Sequence, residues 1–113
     1  MSNIPFVLYK DRDGWTARSR IELEPHGLEA GRVLDVMTYK GPRGGIWTNV
    51  RCGKVEDRCF SFMLFQDFNK TVCEDRKARC TEKAVQTMHQ AALAQADAIV
   101  AECVAAYTQK EAA

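Results

Sequence analysis

The sequence predicts an α+β fold: a twisted antiparallel sheet of about five strands followed by one long C-terminal helix packed on one face. Three observations predict it. Residues 15–24, "WTARSRIELE", alternate between two kinds of side chain without a break. Turns rich in Gly, Pro and Asp punctuate the first two-thirds of the chain. After Thr81 the apolar period lengthens from that of a strand to that of a helix, and no Gly or Pro occurs through Tyr107.

The elements follow in order. "IPFVLY" reads as a first strand, and Asp13-Gly14 at the end of "KDRDG" is a hairpin signal. In the second strand Trp15, Ala17, Ser19, Ile21 and Leu23 fall on one face. Thr16, Arg18, Arg20, Glu22 and Glu24 fall on the other, the pattern of one covered and one wet face. "PHGLEAG" is a loop, and "RVLDVMTY" a third strand with Leu34, Val36 and Met37 expected inside. "KGPRGG" interrupts regular structure. "IWTNVRC" reads as the fourth strand and "RCFSFMLFQ" as the fifth. The fifth has apolar residues on both faces, Phe60, Phe62 and Leu64 against Cys59, Met63 and Phe65, and so is expected to be central and covered on both sides. "TVCEDR" is a short edge-like segment. Thr81 is a plausible N-cap with Glu82 in the first turn. Val85, Met88, His89, Ala92, Leu93, Ala96, Ile99, Val100, Cys103 and Tyr107 then share one helical face. A helix over 81–108 would reach roughly 40 Å, more than the width of a small sheet.

A chain of 113 residues is expected to form one domain, 1–113, with strands within 4–76. The formal net charge of +1 gives no global field for nucleic acid or membrane. Up to Cys80 there are 14 Lys/Arg against 11 Asp/Glu, and from Thr81 onward 2 against 4. The apolar run in "MSNIPFVLYKDRDGW" is too short for a signal peptide or spanning helix, so a cytoplasmic protein without membrane contact is expected.

Cys52 and Cys59, and again Cys73 and Cys80, are separated by six residues. Zinc knuckles use two to four, because both thiolates must aim at one ion. Six suits two residues facing each other across a hairpin. Disulfides need an oxidising compartment, and a fifth cysteine, Cys103, leaves the set odd. The favoured reading makes Cys59, Cys73 and Cys103 small packing residues, with no metal and no cofactor. His26 reads as a turn residue and His89 as a core residue with a satisfied hydrogen bond. The chain has no nucleophile elbow, P-loop, dinucleotide fingerprint or zinc-protease motif, and it is not expected to be an enzyme.

The segment "TYKGPRGGIWTNVR" sets Lys40, Arg43 and Arg51 between Tyr39 and Trp47. Arg, Tyr and Trp are typical anchors of a protein interface, and basic groups with aromatics also serve single-strand nucleic acid. Arg18 and Arg20 could extend the patch, but Glu22 and Glu24 interrupt it. Opposite the helix's apolar stripe, Ala91, Ala94, Ala98, Ala101 and Ala105 form a heptad seam suited to a homodimer. The layout of strands followed by a helix resembles single-strand DNA-binding modules of the transcriptional-coactivator type, with no motif in common. The expected function is a non-enzymatic binding protein acting on a protein partner, a regulator or inhibitor of the kind encoded by mobile elements. Nucleic-acid binding through the basic, aromatic loop is the alternative.

Overall fold

A computed structural model describes residues 4–56, 59–61 and 68–112. Its six strands form one antiparallel sheet five positions wide: β1 (Val7–Asp11), β2 (Gly14–Glu22), β3 (Arg32–Lys40), β4 (Ile46–Glu56), β5 (Cys59–Ser61) and β6 (Asn69–Asp75). The order is β1-β2-β3-β4, and β5 and β6 share the far side of β4, pairing with Lys54–Glu56 and Ile46–Arg51 respectively. Arg12 and Asp13 make the first hairpin turn, and Gly14 takes φ +127°, a conformation side chains other than glycine resist. A 3₁₀ turn, Glu24–His26, links β2 to β3.

Alternation sorts the side chains as the sequence implies. Ala17, Ser19 and Ile21 of β2 line up with Thr38, Val36 and Leu34 of β3, and these with Thr48, Val50 and Cys52 of β4. All nine are buried beneath the helices. Met37 departs from expectation: Thr38, one residue on, is the inward side chain, because Leu34 and Val36 set the parity of β3.

The expected single helix over 81–108 is instead two, α1 (Glu82–Leu93) and α2 (Ala96–Ala112). The Thr81 hydroxyl caps α1 by accepting from the Ala84 N–H at 3.2 Å. At the junction the Gln95 N–H bonds the Ala92 carbonyl, three residues back, so the turn tightens and the axis breaks without Pro or Gly. The break has a packing reason. Val85 of α1 caps a small cluster with Ala17 and Ile46. Ala96, Ile99, Val100, Cys103 and Tyr107 of α2 cover a larger one with Ile21, Leu23, Leu34, Val36, Val50 and Phe68. Two short helices keep both halves of the stripe on a twisted sheet.

Of the expected fifth strand, Cys59–Ser61 pairs with Lys54–Glu56 of β4, and the rest, 58 and 62–66, lies outside the described residues. In that hairpin Cys59 opposes Glu56, so Cys52 and Cys59 do not face each other.

Candidate interaction face

The sheet face away from the helices is ordered into cross-strand rows. One row runs Tyr9, Thr16, then Tyr39, Trp47 and Glu74. The next runs Val7, Arg18, Met37, Asn49 and Thr71. A third runs Arg20, Asp35, Arg51 and Asn69. Five of the sequence-predicted site residues, Arg18, Arg20, Tyr39, Trp47 and Arg51, thus come together on one surface. Among the described residues nothing forms a second layer over it.

At the aromatic end, the Tyr39 and Trp47 rings meet edge to face at 5.9 Å and 72°. Trp47 therefore does not enter the core beneath the helices. Val7 is 64% and Tyr9 38% exposed, the large apolar side chains most open to solvent among the described residues.

At the charged end, Asp35 is fully buried on what is otherwise the wet face. Its Oδ1 accepts from Arg18 Nε at 2.8 Å and lies 3.7 Å from Arg20 Nε. Arg51 stands directly across from Asp35 on β4. One carboxylate thereby orders the guanidinium groups around it, which an isolated arginine on a strand could not achieve.

Lys40 and Arg43 sit apart from these rows. Lys40 pairs with Ile46 at the sheet's end, and Arg43 is exposed on the turn. That turn is closed: the Gly41 N–H bonds the Gly45 carbonyl at 3.0 Å, and the Gly44 N–H bonds the Gly41 carbonyl at 3.2 Å. Gly45, at φ +70°, is pressed against the Asp75–Arg76 backbone, where a Cβ has no room. The segment that interrupts regular structure is a built corner.

The remaining chemistry lies beneath the helices. His89 Nε2 is 2.8 Å from Ser19 Oγ, Nδ1 is 2.9 Å from Thr38 Oγ1, and Thr38 Oγ1 is 2.6 Å from Thr48 Oγ1. All four side chains are buried, and burial lowers the imidazole pKa to about 4. Phe6 packs against the ring at 5.2 Å. His89 is thus a core residue with both nitrogens engaged.

Cys52, Cys73, Cys80 and Cys103 are free thiols, and Cys80 Sγ points to the Trp15 carbonyl at 3.2 Å. Cys52 and Cys103 lie in the core, where the adjoining Cys52 and then burial push the Cys103 thiol up. Among the described residues no three His, Cys, Asp or Glu side chains converge as a metal site.

The alanines of the predicted seam are all exposed. Ala91 lies on α1, Ala94 at the break, and only Ala98, Ala101 and Ala105 share α2. No helix among the described residues is long and apolar enough to cross a membrane.

Sequence reading missed Tyr9, Met37 and Asp35. The alternation of Val33, Asp35, Met37 and Tyr39 against Leu34, Val36 and Thr38 was the signal that places Asp35 and Met37 on the face of Tyr39. Comparison with known protein families, curated proteins and solved structures gives no match.

Proposed function

We propose that this chain is a non-enzymatic binding protein whose open sheet face docks on a protein partner, as a regulator or inhibitor of the kind mobile elements encode. One observation carries the reading. A sheet face that is merely solvated is polar, whereas this one presents Val7, Tyr9, Met37, Tyr39 and Trp47 beside arginines organised by a buried carboxylate. Tyr, Trp, Met and Arg are the side chains enriched at the core of protein interfaces. Nucleic acid is the second reading. Glu22, Asp35 and Glu74 on the same face break up any continuous path for phosphates.

Capture from nuclease-treated lysate, followed by titration of the captured partner at several salt concentrations, tests the proposal. We expect binding to survive nuclease and to weaken only modestly with salt. Tyr9→Ala with Arg20→Ala is expected to lower affinity at least about tenfold, as for loss of an anchor worth more than 1.4 kcal/mol. Loss of binding on nuclease treatment, or affinity falling by orders of magnitude between about 50 and 200 mM salt, would transfer the face to nucleic acid.

A homodimer through α2 belongs to the same proposal. Ala98, Ala101 and Ala105 are exposed on one helix. Ala101 and Ala105 line a cleft of about 700 Å³ together with His26, Asp97, Val100, Val104 and Thr108.

A further inference from the structure

We propose that the cleft between Tyr9 and Tyr39 is a socket for an arginine side chain of the docked protein. The guanidinium would stack on one of the two rings and pair with the carboxylates of Asp11 and Asp13. This rests on the open sheet face being the binding face, and it adds what the partner must present there.

The cleft is about 390 Å³, and Tyr9, Asp11, Asp13, Met37, Tyr39 and Lys40 are among the residues that line it. That is the size of a site for one side chain or a small ligand. Its shape follows from the sheet. Tyr9 on β1 and Tyr39 on β3 are separated by β2, whose residue in the same row, Thr16, is short and buried. Two strand spacings set the aromatic side chains about 9.6 Å apart at their bases. That spacing leaves room between the two side chains for a planar cation. A short residue between two tyrosines is what opens the slot.

The chemistry at the mouth selects charge. The Asp13 N–H donates to Asp11 Oδ1 at 2.9 Å, which fixes the hairpin turn and holds the Asp11 carboxylate at the rim, where Asp13 also lines the cleft. Lys40 is the opposing charge on the lining, an exposed ammonium on a flexible stem. Two carboxylates against one ammonium leave the lining at −1. A cation is therefore favoured over a phosphate, and a nucleotide base stacked here would bring its phosphate against Asp11 and Asp13. Arginine fits better than lysine, because a planar guanidinium can stack on Tyr faces while it hydrogen-bonds a carboxylate side-on.

The test uses the intact chain and no partner. N-acetyl-arginine amide is titrated while NMR shifts of Tyr9, Tyr39, Asp11 and Asp13 are followed, with N-acetyl-citrulline amide as the neutral isostere. Saturable shifts confined to the cleft are expected, with Kd of order 1–10 mM for so small a ligand. Citrulline is expected to bind at least about tenfold more weakly. Asp11→Asn with Asp13→Asn keeps the turn's acceptor and is expected to abolish saturation, whereas Lys40→Ala is expected to tighten binding. Equal binding of citrulline, shifts centred elsewhere, or no saturation below about 50 mM would overturn the socket. Such a result would leave partner capture by the open face untouched, since that is measured on the partner itself.

Discussion

His89 can take a second proton only by giving up an accepted hydrogen bond inside a buried network. The unfolded chain, with an ordinary imidazole pKa of 6.5, binds that proton between pH 6.5 and about 4, while the folded chain does not. Stability therefore falls as pH drops through this window and levels off below it, by roughly 3 kcal/mol in all. Urea midpoints measured across the window check it, and His89→Asn is expected to flatten the slope while lowering stability at pH 7. Glu29, whose carboxyl is held low by Lys54 and then by Arg32, loses its support only in the acid end of the range and does so in both proteins. Asp35 is the other residue with a calculable role. Arg18 and Arg20 are 30% and 41% exposed and can rehydrate if it is removed. Asp35→Asn is thus expected to cost about 1–2 kcal/mol, less than removing both arginines, which would strand a buried carboxylate. Chemical denaturation of the two variants gives the comparison.

Among the elements, the turn from Gly41 to Gly45 shows how little of a loop's character lies in its composition. Glycine was legible there as a break in regular structure, but its reason is the approach of the Asp75–Arg76 backbone from β6, a contact no local pattern announces. Gly45→Ala is expected to cost at least about 2 kcal/mol, through positive φ and collision together, whereas Gly44→Ala has open space and meets only the φ penalty. Thermal midpoints of the pair separate the two causes. Legibility followed periodicity elsewhere too. The β2 alternation and the buried stripe of the C-terminal helices were readable because each residue's fate depends on its own strand or helix. The split at Ala94–Gln95 was not, because it answers to the twist of the sheet beneath.

For the whole molecule, two surfaces face outward with different chemistry. The sheet side carries the arginines and aromatics, and the outer side of α2 carries alanines with Asp97 and Glu102. The candidate site was half legible: Arg18, Arg20, Tyr39, Trp47 and Arg51 were visible as residue types, but their assembly into rows needed the register between strands distant in sequence. Light scattering at micromolar concentration decides the homodimer. A dimer mass is expected, with Ala98→Glu plus Ala101→Glu returning a folded monomer. A wild-type chain that stays monomeric at high concentration ends that part of the proposal.

The hydroxyl–imidazole chain of Ser19, His89, Thr38 and Thr48 divides the two apolar clusters, and its consequence is uniqueness. Oily surfaces alone would let a helix roll or slide over a sheet at small cost. Rolling α1 by one residue here would set Met88 or Gln90 against the buried Ser19 and Thr38 hydroxyls, which would lose the imidazole they share. The imidazole acts as a key with one seating, and the rotation of α1 is chosen by polar pairing where apolar contact would have accepted several.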